Sequence, residues 1–219
     1  MILEYDGTVV DFFETFPKDV TSIGLHFSGG ADSTLILYLL VKMIQERKCE
    51  GKVKIYPICG YDISIPDLVV YEVTNNIINW INAKTQTTCI HPIQITPYFA
   101  PDFQKDELFK VNKAYLKDRY NCDIIIDGIS LGMPESPRHG IGQWTVNENI
   151  KELPNLKPHT FPWATVNKKF IAEQYKKLDI EDLSNLTNSC TVSTKTPCKE
   201  CWWCEERYWA FGSYDYGLQ

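Results

Sequence analysis

The chain has 219 residues, of which 44% are hydrophobic and 23% charged, with a formal net charge of −6. That length suits one sizeable core, while the acidic balance argues against a general nucleic-acid binder, which usually shows a basic face. No stretch approaches the roughly 18 apolar residues of a membrane span, and the opening MILEYDGTVVDFFETFPKD carries acids where an export signal carries bases, so a cytoplasmic protein is expected.

In chain order, residues 1–21 form an N-terminal extension, and SIGLHF (22–27) is a buried strand with His26 as a hydrogen-bonded core histidine. STLILYLLVKMIQERK (33–48) is a helix with an apolar face, KVKIYPIC (52–59) a second strand, and DLVVYEVTNNIINWINA (67–83) a second helix. CIHPIQIT (89–96) is a third strand, DELFKVNKAYLKDRY (106–120) a well-patterned helix, and CDIIIDGIS (122–130) a further buried strand. Residues 131–160, rich in Pro, Gly and His, suit an ordered substrate loop. NKKFIAEQYKKL (167–178) returns to a helix, and EERYWAFG (205–212) closes the chain with a short one. Strands alternating with helices predict an α/β fold with a parallel sheet covered on both faces. The expected organisation is one α/β domain over 22–185 and a Cys-rich segment over 186–219 packed on it.

In such sheets ligands sit at the carboxyl ends of the strands, and the first strand–helix turn is the usual phosphate seat. Here that turn is Ser28-Gly29-Gly30-Ala31-Asp32-Ser33. Glycines let backbone N–H groups approach phosphate oxygens at the positive end of a helix. Ser28 and Ser33 add hydroxyl donors, and Asp32 suits a helix cap or a Mg²⁺ ligand. The turn has neither the Lys-Ser/Thr ending of a Walker loop nor the three-glycine dinucleotide fingerprint.

Of eight cysteines, Cys49, Cys59, Cys89 and Cys122 are scattered through apolar segments and suit core positions. Cys190, Cys198, Cys201 and Cys204 crowd into fifteen residues as C-x7-C-x2-C-x2-C. Four thiolates at that spacing close a tetrahedral site and leave no open position, so one structural Zn²⁺ is expected; redox cysteines or disulfides are the alternative. Trp202, Trp203, Tyr208, Trp209 and Phe211 are expected to pack around this knuckle. Asp127, ending the fourth strand, suits Mg²⁺, substrate or a turn. Arg138 suits bidentate pairing with a carboxylate, and His139 a solvated loop position.

Ser-Gly-Gly-x-Asp-Ser after a strand resembles the PP-loop ATP pyrophosphatases. SCTVSTKTPCKECWWCEERYWAFG (189–212) looks like the C-terminal zinc segment of one of their families, 7-cyano-7-deazaguanine synthase (QueC), with Cys204, Arg207, Ala210 and Phe211 in step. FPWATVNKKFI (161–171) resembles that family's Pro-x5-Lys segment, which implies Lys168 near the ATP phosphates. GMPESPR (132–138) resembles its substrate-loop segment, which places Glu135 and Arg138 toward the substrate. The resemblance implies a Rossmann-like PP-loop (adenine nucleotide alpha hydrolase-like) fold with a C-terminal zinc segment. It also implies an ATP- and Mg²⁺-dependent ligase that adenylates 7-carboxy-7-deazaguanine or a related acid and amidates it, and in the family continues to the nitrile. Asp32, Ser33 and Lys168 would act in catalysis, with a homodimer or a larger assembly as the setting. The chain departs from the family where base recognition is expected: APDFQKDELFKVNKAYL lacks its Arg-Asn pair, Glu135 and Ser136 replace Asp and Cys, and Ala31 replaces Leu. The rival readings are a PP-loop enzyme with another acceptor, either a tRNA sulfurtransferase or a protein-modifying deazaguanine ligase, and a non-catalytic nucleotide-sensing subunit.

Overall fold

The computed structural model describes residues 1–13, 16–65, 70–98, 105–133, 160–193 and 195–217. The extension expected over 1–21 contains a hairpin, β1 (Ile2–Tyr5) paired antiparallel with β2 (Thr8–Asp11). Its turn is Asp6-Gly7, both at positive φ (48° and 73°), which matches the right-handed twist of the flanking strands. The Asp-Gly dipeptide between short apolar-alternating stretches was the local signal for it.

β3 (Ser22–His26) leads into α1 (Ala31–Glu46), then β4 (Lys54–Asp62), α2 (Val70–Thr85), β5 (Gln94–Tyr98), α3 (Lys105–Tyr120) and β6 (Ile124–Ile126). Among the described residues three further helices follow: α4 (Lys168–Lys177), α5 (Glu181–Asn185) and α6 (Trp202–Phe211). The four core strands are parallel in the order β5-β4-β3-β6, so the chain is α/β. The order reverses direction beside β3, and the crevice between the carboxyl ends of β3 and β6 is the topological switch point.

The two faces of the sheet are unequal. On one, Ile23 and Leu25 meet α1, whose Leu35, Ile36, Leu37, Leu39, Leu40 and Val41 are all fully buried. α1 is apolar all round rather than on one face because α2, α4 and the sheet enclose it. Phe12, Phe16 and Trp163 extend this core under the hairpin, with Phe12 and Trp163 ring centroids 5.5 Å apart. On the other face Ile58, Leu116, Cys122 and Ile125 make a small cluster beneath α3. Gly24 of β3 admits that helix: a Cβ there would lie 2.8 Å from Leu116.

Several element bounds differ from the sequence expectation. The third strand begins at Gln94 rather than at 89, because Pro92 has no N–H to donate. Residues 89–91 meet β4 through Ile55 N–H to Cys89 O (2.9 Å), His91 N–H to Ile55 O (2.8 Å) and the His91 ring stacked on Tyr56 at 4.3 Å, and regular pairing restarts beyond the proline. β6 is short because Asp127 turns to donate its N–H to Thr160 O at 2.9 Å. α6 begins three residues earlier than expected, at Trp202, since Cys201 occupies its N-cap. At the amino ends, Asp123 clamps β3 to β6: its Oδ2 accepts from Thr21 N–H (2.7 Å), Ser22 N–H (2.9 Å) and both hydroxyls.

Candidate active site and cysteine centre

The turn joining β3 to α1 is held by its backbone. Gly29 sits at φ +77°, a conformation L side chains rarely adopt, and a Cβ there would press on Val73 at 3.1 Å and Thr74 at 3.3 Å. Its role is therefore conformational and in packing against α2. Gly30 has an ordinary φ of −75° and is the N-cap of α1, with no side-chain cap hydrogen bond. The first N–H groups of α1 lack intrahelical partners by geometry and carry the positive end of its dipole. Ser28 Oγ accepts from Gly30 N–H (3.2 Å) and lies 3.3 Å from Ser33 Oγ. Three distant residues brace the turn: Tyr175 O–H donates to Ala31 O (2.8 Å), Trp163 Nε1–H to Asp32 O (3.1 Å), and Asn188 N–H to Gly29 O (2.9 Å). Gly128, just beyond β6, approaches the first turn of α1 so closely that a Cβ would lie 3.1 Å from Ser33 N.

The structure brings Lys168 and Asp32 together. Lys168 is the first residue of α4 and is 6% exposed, and its Nζ donates to Asp32 Oδ2. Nζ also lies 3.5 Å from Glu206 Oε2 on α6. Burial would push this ammonium down, but the charges of Asp32 and then Glu206 outweigh it and hold Lys168 above its ordinary value. Burial pushes the Glu206 carboxyl up, opposed by Lys168. Asp32 Oδ1 is buried and has no hydrogen-bond partner among the described residues. The neighbouring Lys169 points elsewhere, its Nζ 4.7 Å over the Trp209 ring. Sequence reasoning missed Glu206, because a Glu inside EERYWAFG looks like any exposed helix acid; only the packing of α6 on α4 turns it inward.

At the switch point His26 Nδ1 lies 2.9 Å from Asp127 Oδ2, both side chains largely buried. The expected core histidine thus has its partner in the residue singled out at the end of β6. Glu135, Arg138 and His139 lie outside the described residues.

Cys190, Cys198, Cys201 and Cys204 converge with all four Sγ atoms within 4.8 Å of one another, and Cys198 and Cys204 Sγ are 3.9 Å apart. Backbone amides support the sulfurs: Cys198 N–H points at Cys190 Sγ (3.4 Å) and Cys201 N–H at Cys198 Sγ (3.3 Å). Lys199 adopts φ +61°, which bends the chain between the ligands. A hydrogen bond from the Cys204 thiol, against burial, pulls Cys201 down to about 4, and the same bond pushes Cys204 up. Four sulfurs this close together are suited to a metal cation. Two of the four are buried, Cys190 at 2% and Cys204 at 1% exposure. Beside them Arg207, 1% exposed, donates to Thr187 Oγ1 (3.2 Å) and Ser184 O (3.1 Å), and its Nε lies 3.3 Å from Asp215 Oδ1. Its guanidinium covers the Phe211 ring at 3.6 Å, so this arginine ties α5 and the knuckle to the C-terminal segment. Trp202 is buried as expected, whereas Tyr208 is 52% exposed and stacks on Tyr214.

No helix among the described residues is long and apolar enough to cross a membrane. No protein-family model matches the sequence, and no curated protein matches it. Among solved structures the chain is similar to the U34-tRNA thiolase NcsA from Methanococcus maripaludis with its [4Fe-4S] cluster, at a TM-score of 0.49 and 13% identity, over 88% of this chain and 67% of that one.

Proposed function

We propose that the chain is a PP-loop enzyme, similar to 7-cyano-7-deazaguanine synthase, that uses ATP to adenylate a small carboxylic acid and then joins it to ammonia or an amine. The observation that supports this most is the Ser28–Ser33 turn. It stands at the switch point of a parallel sheet, opens a helix with no side-chain cap, and holds Asp32 against the buried Lys168.

In this reading a carboxylate oxygen of the acid attacks the α-phosphorus of ATP, and the bond to pyrophosphate breaks. The amine then attacks the acyl carbon of the adenylate, AMP leaves, and the amine gives up a proton. The N–H groups opening α1 bind phosphate oxygens, and Lys168 counters the charge that gathers on departing pyrophosphate. Mg²⁺, when bound, neutralises phosphate charge, and the buried unpartnered Oδ1 of Asp32 is a fitting ligand for it. The acid is a 7-deazaguanine acid, by the resemblance of residues 132–138 and 189–212.

The cysteine centre is a structural Zn²⁺ site held by Cys190, Cys198, Cys201 and Cys204. Four Zn–S bonds of about 2.3 Å place their sulfurs about 3.8 Å apart in a tetrahedron, close to the 3.9 Å between Cys198 and Cys204. Reduced thiols of this kind fit the cytoplasm.

The test is incubation with ATP, Mg²⁺ and a panel of 7-deazaguanine acids with an ammonium salt, following pyrophosphate and product mass. Turnover of 7-carboxy-7-deazaguanine is expected. ATP binding without pyrophosphate release for any acid overturns the ligase in favour of a nucleotide sensor, and in a parallel incubation with ATP, Mg²⁺, tRNA and sulfide, sulfur entering tRNA while no acid is amidated overturns it in favour of a sulfurtransferase.

A further inference from the structure

α6 has ten residues, too few to hold a helix by itself. Its start is fixed by the knuckle: Cys201 is the N-cap and makes no side-chain cap hydrogen bond, and Cys204 turns into the cluster of sulfurs. Glu206 follows two residues later, about 200° around the helix, and faces the opposite way. There it is 3% exposed, its Oε2 3.5 Å from Lys168 Nζ and its Oε1 accepting from Met133 N–H at 3.3 Å. One carboxylate therefore ties the metal-bearing helix to the first residue of α4 and to the chain at Met133. Through Lys168 the link continues to Asp32 in the first turn of α1.

A buried lysine between two carboxylates rests where their two attractions balance, so moving Glu206 moves the ammonium. We propose that Glu206 is a positioning residue through which the cysteine centre sets the place of Lys168 in the nucleotide site, an inference that rests on reading the 28–33 turn as an ATP seat. Coupling between two binding sites is reciprocal. ATP that fixes Lys168 must therefore also steady α6 and raise the knuckle's affinity for its metal.

The experiment uses the full zinc-loaded chain and measures zinc release to a chromogenic chelator at equilibrium, with and without saturating Mg²⁺-ATP. In the unmodified protein ATP is expected to tighten zinc about fivefold or more, the lower end of ordinary coupling. Glu206→Gln keeps the shape and removes the charge. It is expected to hold one zinc and bind ATP, yet to show less than a roughly twofold ATP effect. Its pyrophosphate release should fall about tenfold in kcat with KM for ATP little changed, a split that general loosening of the fold does not produce. An ATP effect of the same size in Glu206→Gln overturns the proposal, as does calorimetrically bound ATP that leaves zinc release unchanged in the unmodified chain. If Glu206→Gln does not fold, Lys168→Gln cuts the same link from its other end, and a retained ATP effect there overturns the proposal equally. ATP that fails to bind the unmodified chain at all is a separate outcome, which overturns the ATP seat and the coupling with it.

Discussion

In the glycine turn the binding groups belong to the backbone, and what braces them comes from far along the chain: Trp163, Tyr175 and Asn188 all donate to carbonyls of residues 29–32. In the cysteine knuckle the binding groups are side chains, all four lie within residues 190–204, and nearby amides support the sulfurs. The first site exists only when the whole domain is folded, whereas the second closes on itself once a metal arrives. The coupling of affinities is mutual, but its consequences should differ in size. Losing the metal disturbs the turn through Asn188 and Glu206, while a lesion in the turn loosens the knuckle's hold only severalfold and leaves the metal in place.

The harshest way to break that asymmetry is Cys204→Ser. Structural zinc contributes on the order of 10 kcal/mol in small zinc modules, and each kcal/mol moves the melting temperature of a chain this size by about 2–4 °C. Loss of zinc by elemental analysis, a fall of about 10 °C or more, and loss of ATP binding are expected together. A zinc-free variant that still binds ATP normally would show that the turn does not lean on the knuckle.

Next in size is the contrast between two adjacent lysines. Lys168→Ala leaves Asp32 and Glu206 as buried carboxylates without their shared cation, a change typically worth about 3–5 kcal/mol. It should also slow adenylation by roughly two to three powers of ten. Lys169→Ala removes only a cation–π contact with Trp209, worth about 0.5–1 kcal/mol at the surface, and should leave the rate unchanged. Chemical denaturation and pyrophosphate release on both variants check this. Equal losses from the two would mean that the Asp32–Lys168–Glu206 arrangement does not form in solution.

The same contrast explains what could be read from the sequence. The cysteine spacing is local, so residues 190–204 announced their convergence without the fold. The Ser28–Ser33 turn was legible as a motif, and the periodicity of 33–48 marked the helix that it opens. What brings Lys168 to Asp32, 136 residues away, is tertiary packing, and only the family resemblance had placed it there. Glu206 and the His26–Asp127 pair carry no local signal, since a helix acid and a strand histidine acquire partners only across elements. Gly29 has, besides the phosphate approach read from the motif, a part that the motif does not show: its positive φ and the nearness of Val73 shape the turn and seat it on α2.

That added part separates the two glycines. Gly29→Ala is expected to cost about 1–2 kcal/mol of stability, from the left-handed backbone and the tight contact with α2. Gly30→Ala has an ordinary φ and only Ser28 Oγ at 3.3 Å to displace, so its stability should stay within about 0.5 kcal/mol. Its methyl group instead stands at the helix opening and should weaken ATP binding. Both variants should keep one zinc per chain. Calorimetric ATP titration beside thermal melts separates the two effects, and loss of zinc from either variant would mean that the knuckle leans on the turn as heavily as the turn leans on the knuckle.

The mildest lesion lies at the far end of the strands. Asp123 holds the amino ends of β3 and β6 in register, and the Thr21 amide is the first reason its carboxyl lies below its ordinary range, with burial opposing and the Ser22 amide and the hydroxyls adding to it. A carboxylate whose folded value is depressed stabilises the fold above its unfolded value, and that contribution fades as pH falls through the folded one. Asp123→Asn should therefore cost about 1 kcal/mol near neutrality, for it exchanges a charged acceptor for a neutral one at an exposed site. The penalty should shrink from about pH 4 downward, as the native carboxyl protonates too. Zinc content should not change, because the knuckle does not depend on the β3–β6 register. ATP affinity should fall slightly, because the turn that follows β3 does. Denaturation curves for the two proteins at pH 7 and near pH 3 test the sign: a penalty that grows on acidification would mean that the clamp works through something other than the charge on Asp123.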